Sequence, residues 1–223
     1  MNTELYHQLL EQCAHYNASL IAVSKTKPAE SIRVLYDAGQ RDFGENRVQE
    51  LLEKAPQLPG DIRWHLIGHL QTNKVKAALP YVCMIHSVDS RKLLDEIDRQ
   101  SAKLDQCTDV LLQIHLSGEE TKFGLDAAEL HAILQEYQTG QWPHVRVCGL
   151  MGMSSLTDDM ALRRKEFRHL HELFLQAKQE YFQDRAEFHH CSMGMSDDYP
   201  IALEEGASMI RVGSLLFGQR NAG

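Results

Sequence analysis

Eight short apolar runs, each followed by a helical pattern, predict an α/β fold: a single (β/α)8 TIM barrel with an extra N-terminal helix. Two further observations favour it over an open doubly wound sheet. The alternation runs through 223 residues without a break in composition, and no GxGxxG fingerprint follows the first strand. Strand–helix alternation implies parallel strands with helical crossovers, and eight units in about 200 residues suit a small closed barrel. The expected organisation is one domain over residues 1–223.

Leu5, Leu9, Leu10 and Cys13 fall at helical spacing, so a helix over residues 3–16 precedes the first strand, Leu20–Ser24. Pro28 sits where a helix begins, and Gly39 ends it. A short second strand is predicted around Arg41–Phe43, then a helix over Arg47–Lys54 and a loop over Pro56–Asp61. The third strand, Arg63–Ile67, leads to a helix over Leu70–Leu79. The fourth, Val82–Ser87, precedes a helix from Ser90, a good N-cap residue, to Leu104. The fifth, Asp109–Leu116, is nearly continuous in apolar residues; the polar loop Ser117–Gly124 and a helix over Asp126–Tyr137 follow. The acidic part of that loop, Ser117–Thr121, reads as solvated surface. The sixth strand is Val145–Met151, with the longest helix, Asp158–Tyr181, after it. The seventh is Glu187–Ser192, before a helix from Pro200 to Gly206. The eighth is Ser208–Val212, and Leu215–Phe217 opens a last helical turn.

The composition is that of a soluble globular protein, 43 % apolar and 24 % charged. A net charge of −8 argues against a general nucleic-acid binder. Five widely spaced cysteines, odd in number and without a CxxC pair, read as free thiols in a reducing compartment. The N-terminus lacks a signal-peptide pattern and no run approaches membrane-spanning length. The expectation is a cytoplasmic protein that is a monomer and contacts neither membrane nor nucleic acid.

In a barrel of this kind the chemistry sits at the carboxyl ends of the strands. Lys25 and Lys27 fall there after strand 1, Glu45 and Asn46 after strand 2, and His69 after strand 3. Met151 closes strand 6, Ser192-Met193-Gly194-Met195-Ser196 closes strand 7, and Arg211-Val212-Gly213-Ser214 closes strand 8. A lysine at a buried strand end loses hydration, which favours the neutral, nucleophilic amine that a Schiff base needs. Glycine and serine after strands 7 and 8 make a phosphate cradle of the kind this fold often places there. Arg211, inward-facing and always charged, needs an acceptor such as a pyridine nitrogen. Lysine, cradle and arginine together fit pyridoxal 5′-phosphate. An arginine partner would leave the ring nitrogen unprotonated, a poorer electron sink than a pyridinium.

These residues also carry a resemblance. AVSKTKP (Ala22–Pro28), AGQRDFGEN (Ala38–Asn46), WHLIGHLQTNK (Trp64–Lys74), SMGMSDD (Ser192–Asp198) and IRVGSLLFGQR (Ile210–Arg220) occur in order. In these blocks the chain resembles the pyridoxal phosphate homeostasis proteins, the YggS/PROSC group, which are similar to the N-terminal domain of alanine racemases. The resemblance implies a covalent imine between pyridoxal 5′-phosphate and Lys25. It implies a phosphate site from Ser192, Gly194, Met195, Ser196, Gly213 and Ser214, and Arg211 on the ring nitrogen. Asn46, His69 and Met151 border the cofactor. It further implies a role in intracellular cofactor homeostasis and amino-acid and keto-acid balance, with PLP-dependent apo-enzymes as partners and no turnover reaction. Ser214 stands where threonine is common, Arg47 for tyrosine, His115 for asparagine and Cys191 for leucine, which touches only the finer pocket contacts.

The alternative is a weak PLP-dependent amino-acid racemase. Alanine racemase takes its second base from another domain, and this sequence ends at Gly223 just after the barrel, so efficient racemisation is not expected. A Schiff-base aldolase would need an acid/base partner beside the lysine. No metal site is expected: His65 and His69 straddle a strand end, His169 and His171 diverge on a helix, and His189 and His190 point to opposite faces of a strand. Asp197 and Asp198 read as helix N-terminal residues complementing the dipole.

Overall fold

The computed structural model describes residues 3–116 and 123–218. Helix α1 (Thr3–His15) packs against the outside of an eight-stranded barrel: β1 (Ser19–Val23), β2 (Asp42–Glu45), β3 (Arg63–Leu66), β4 (Val82–Val88), β5 (Thr108–Ile114), β6 (Val145–Gly152), β7 (His190–Ser192) and β8 (Met209–Val212). The strands are all parallel and follow chain order, and β8 closes on β1 with Ile21 opposite Arg211. The crossovers carry α2 (Ala29–Asp37), α3 (Val48–Lys54), α4 (Val75–Ala78), α5 (Arg91–Lys103), α6 (Ala127–Gln138), α7 (Met160–Tyr181) and α8 (Tyr199–Glu204). Helix α9 (Ser214–Phe217) follows the last strand. Among the described residues, no helix is long and apolar enough to cross a membrane.

Side-chain alternation along the strands divides the core in two. Outward residues such as Ala22, Phe43, Trp64, Leu66, Val110, Leu112 and Leu150 pack against the helices. Inside the barrel a smaller apolar cluster of Met84, Leu111, Cys148, Met151 and Met209 shares the space with polar side chains described below. Caps fix where the helices start. Ser90 Oγ accepts from Leu93 N at 3.4 Å, and Asp126 with Glu129 forms a reciprocal capping box on α6. Asp159 Oδ1 accepts from Ala161 N and Leu162 N to open α7.

Three expected elements differ. The second strand runs on to Glu45, because its carboxyl is buried against Ser24 and Lys54 and so holds the chain in the sheet. The helix expected over Leu70–Leu79 is a 3₁₀ turn (Thr72–Lys74) followed by the single turn α4, since threonine and asparagine there are weak helix formers. The seventh strand is only His190–Ser192. Upstream of it the chain turns, with Phe188 N bonded to Arg185 O at 3.3 Å. That turn stacks Phe188 between Phe182 and Phe174, with ring centroids 4.1 and 5.2 Å away. His189 therefore precedes β7, and its ring lies 3.8 Å from that of His190 instead of on the opposite face. The acidic tract Ser117–Thr121 lies outside the described residues.

Gly149 allows β6 and β7 to meet. Its φ is +152°, and a Cβ built there would lie 1.8 Å from His190 O. Gly149→Ala is expected to destabilise the fold by about 3 kcal/mol or more, read as a lowered urea midpoint at unchanged slope. An unchanged midpoint would mean that the two strands can part without loss.

Candidate functional site

The carboxyl ends of β1, β2, β3, β6, β7 and β8 surround a cavity of about 220 Å³, open to solvent. Its lining includes Lys25, Asn46, Met195, Ser196, Arg211, Gly213 and Ser214, together with Val23, Ile67, Met153 and Asp197. A smaller recess adjoins it, sharing Lys25, Gly213 and Ser214 and adding Lys27. The topology explains the gathering: these residues are far apart in sequence, but each follows a strand that ends on the same face.

Lys25 sits on the turn between β1 and α2, half-buried, immediately after the fully buried Ser24. The turn is tied on both sides. Ser24 N donates to Gly44 O at 3.0 Å, and Thr26 N donates to Glu50 Oε2 at 2.6 Å. Asn46 approaches because Gly68 has no side chain: a Cβ there would lie 2.4 Å from Asn46 O. Asn46 Oδ1 is buried and has no hydrogen-bond partner among the described residues, so an acceptor is left at the cavity wall for a donor supplied by a ligand.

The loops after β7 and β8 meet each other. Gly213 N donates to Ser196 Oγ at 3.3 Å. Asp198 organises the first of these loops: it is 2 % exposed, accepts from Met195 N at 2.6 Å, and accepts from Ser154 Oγ on the loop after β6 at 2.7 Å. It stands at the N-terminus of α8, as expected, but its carboxylate makes no capping bond there and braces the loop instead. Asp197 is exposed and faces the cavity.

Arg211 is 4 % exposed and anchored from below. Nη1 donates to Ser192 Oγ at 2.6 Å and Nη2 to Gly152 O at 2.9 Å, using two of its five N–H donors. Ser192 is only the first link of a longer chain. Its hydroxyl lies 3.1 Å from His86 Nδ1, His86 Nε2 lies 2.9 Å from His65 Nδ1, and His65 Nε2 lies 3.0 Å from Asp42 Oδ1. One proton arrangement satisfies every link. Asp42 can only accept, so His65 donates from Nε2 and accepts at Nδ1, His86 donates from Nε2, and Ser192 donates to His86 while accepting from Arg211. In this arrangement every donor points from Arg211 towards Asp42, at the amino end of β2.

The electrostatics agree with that arrangement. Burial holds the His86 pKa well below the ordinary imidazole value, with His65 and then Arg211 acting in the same direction. Burial tends to raise the Asp42 carboxyl, but hydrogen bonds from His65 and Arg63 overcome it and bring the pKa down to about 2. Burial alone pulls Arg211 down to about 10, leaving it charged at neutral pH. The Asp198 carboxylate favours the charged guanidinium, while Asp42, at the far end of the hydrogen-bonded chain, is paired with Arg63.

Four residues expected at the site are elsewhere. His69 is turned outward: its Nδ1 lies 3.0 Å from Asp89 Oδ2 and its ring stacks on Phe123 at 4.0 Å, so it does not reach the cavity. Met151 is fully buried in the lower apolar cluster, because β6 runs one residue further and Met153 reaches the cavity in its place. Ser192 is completely buried and committed to Arg211 and His86, so it supports the site from beneath instead of contributing a cradle hydroxyl. Gly194 is buried behind the loop, where its carbonyl accepts from Arg211 N at 2.9 Å. Conversely, sequence reasoning passed over His86, Asp42 and Lys54. A histidine in the middle of an apolar strand, IHSV, was the one available signal. Among the described residues, no group of three or more His, Cys, Asp or Glu side chains is placed to hold a metal ion.

Residues 4–221 match the family model described as alanine racemase, N-terminal domain. A curated relative from Aquifex aeolicus, named pyridoxal phosphate homeostasis protein, is 44 % identical over 204 residues, 91 % of this chain and 87 % of that one. A human protein of the same name is 40 % identical over 218 residues, covering 91 % and 76 % of the two chains. Among solved structures, PipY of Synechococcus elongatus with PLP bound superposes with a TM-score of 0.83 at 40 % identity, over 91 % of this chain and 93 % of that one.

Proposed function

The chain belongs to the family of pyridoxal phosphate homeostasis proteins, and we propose that it binds pyridoxal 5′-phosphate in the cavity as a Schiff base on Lys25. In this reading it serves intracellular homeostasis of the cofactor and, through it, amino-acid and keto-acid balance. One observation carries the proposal. A single cavity brings together a strand-end lysine, a buried arginine and two Gly/Ser loops, which are the three recognition elements the cofactor needs. The PLP-bound state of PipY, a relative at 40 % identity, supports the same ligand.

When bound, the cofactor supplies an aldehyde for the linkage and a pyridine ring that can withdraw electrons. The chain's own residues divide the remaining work. Lys25 provides the amine. Ser196, Ser214 and the Gly213 backbone would hold the phosphate, with Met195 beside them in the cavity wall. Asn46 Oδ1 accepts a hydrogen bond from the ligand. Arg211 donates to the ring nitrogen and, being charged at neutral pH, keeps that nitrogen unprotonated, which restrains carbanion chemistry. That restraint is the physical ground for proposing a binding protein without turnover, one that delivers or buffers cofactor for PLP-dependent apo-enzymes, as a monomer in the cytoplasm.

Hydride reduction of the cofactor-loaded protein, followed by peptide mass analysis, is expected to fix one phosphopyridoxyl group on Lys25. An adduct on Lys27 or elsewhere would overturn the assignment. The same loaded protein, incubated with single L-amino acids, is expected to yield neither D-isomer nor keto acid catalytically. Multiple turnovers of either product would replace the binding role by the weak racemase.

A further inference from the structure

We propose that Glu50 and Lys54, on α3, are positioning residues for Lys25: they hold the backbone on both sides of it and so set the rate at which its Schiff base forms. The inference rests on the reading of Lys25 given above.

Lys54 is buried, with its side chain 9 % exposed. Its Nζ donates to Ser24 O at 2.9 Å, to Glu45 Oε1 at 2.8 Å and to Glu50 Oε2 at 2.9 Å. An ammonium has three protons, and three acceptors take them, so Lys54 is a strut and not a second nucleophile. The same Glu50 Oε2 accepts from Thr26 N at 2.6 Å, and Ser24 Oγ donates to Glu45 Oε1 at 2.6 Å. The carbonyl before Lys25 and the amide after it are therefore both tied to one ammonium–carboxylate pair. Lys27 N, bonded to Ser24 O at 3.0 Å, closes the turn.

The turn needs such a restraint. Thr26 has a φ of +61°, a left-handed conformation that a β-branched residue avoids unless its surroundings impose it. Releasing Thr26 N from Glu50 would let the turn relax towards ordinary φ and carry the Lys25 Cα with it. The linkage forms when neutral Lys25 Nζ adds to the aldehyde carbon and water leaves, the C=O bond giving way to C=N. That step depends on where Nζ is held, and a displacement near 1 Å lowers such rates steeply. Recognition of the phosphate and of the ring nitrogen does not depend on it, because those contacts come from Arg211 and the loops after β7 and β8.

The test mixes full-length protein, freed of cofactor, with pyridoxal 5′-phosphate and follows Schiff-base absorbance in a stopped-flow instrument. Pyridoxamine 5′-phosphate, which has an amine in place of the aldehyde and cannot condense with a lysine, measures recognition alone. Glu50→Ala is expected to slow linkage formation about tenfold or more while changing pyridoxamine 5′-phosphate affinity by less than about twofold. Glu50→Gln, which keeps an oxygen for Thr26 N–H, is expected to recover most of the rate. Should Glu50→Ala not fold, Glu50→Asp, one methylene short of Thr26 N, is expected to show the same slowing. An unchanged rate in either variant overturns the positioning role, as does an equal loss of rate and pyridoxamine 5′-phosphate affinity, which would mark a general collapse of the cavity. Hydride labelling of the unsubstituted protein separates the two readings. A label away from Lys25 sinks the lysine assignment, whereas a label on Lys25 with unaffected Glu50 variants sinks only the positioning role.

Discussion

Lys25→Ala is expected to remove the Schiff-base absorbance and to leave no residue for hydride to label. The reasons lie in the cavity. Among the described residues that line it, Lys25 supplies the amine, and its turn is held at Ser24 and Thr26 so that the side chain meets the cavity without a search through backbone conformations. A covalent link formed by a group already in place adds an effective concentration that free lysine cannot match. Its loss is expected to weaken cofactor retention about a hundredfold or more. Retention should not vanish, because Arg211 and the Ser196–Gly213–Ser214 loops remain. Lys25 is half-buried at a turn, so thermal stability should change by no more than about 1 kcal/mol. Lys27 faces the adjoining recess and offers the informative exception. Residual absorbance in Lys25→Ala that disappears in Lys25→Ala/Lys27→Ala would show the second lysine acting as a substitute acceptor. Full absorbance in the double variant would move the linkage out of the cavity.

The order of elements was legible because each strand and helix announces itself locally, through apolar runs, a proline at α2, and Ser90 and Asp126 at their helix starts. The short β7 was not, because its limit is set by where Phe188 must stack, a contact with α7 that no local pattern records. The cavity-lining residues were nameable for a similar reason: in a parallel barrel, the end of a strand is a place as well as a position. Lys25, Asn46, Ser196, Arg211, Gly213 and Ser214 needed only that rule. The support beneath them could not be read this way. Asp42, His65, His86, Ser192 and Arg211 come from β2, β3, β4, β7 and β8, and their hydrogen bonds exist only once the barrel has closed. Ser192 shows the consequence most directly. A serine before a glycine at a strand end reads as a phosphate ligand, yet here its hydroxyl is consumed by the arginine on one side and an imidazole on the other.

That buried chain makes Arg211 the other position with a large expected effect. Arg211→Ala is expected to weaken cofactor retention by about 1–3 kcal/mol, the range for losing a hydrogen bond to a charged donor, or roughly 5–150-fold in Kd. The Schiff base on Lys25 should still form, since the turn that carries the lysine is tied to Gly44, Glu50 and Lys54. Equilibrium dialysis with pyridoxal 5′-phosphate reads the affinity, and hydride labelling reads the linkage. The chain beneath predicts a graded companion. His86→Leu leaves the guanidinium in place but interrupts the path to Asp42, so Ser192 loses its acceptor and His65 its donor. Arg211 then rests on a Ser192 that is no longer oriented from beneath, and its hold on the ring nitrogen should weaken by less than in Arg211→Ala but in the same direction. If Arg211→Ala retains cofactor as tightly as the unsubstituted protein, the guanidinium serves only to tie Ser192 and Gly152 together. If His86→Leu alone is without effect, the buried hydrogen-bonded chain is structural, and Arg211 acts on the cofactor independently of it.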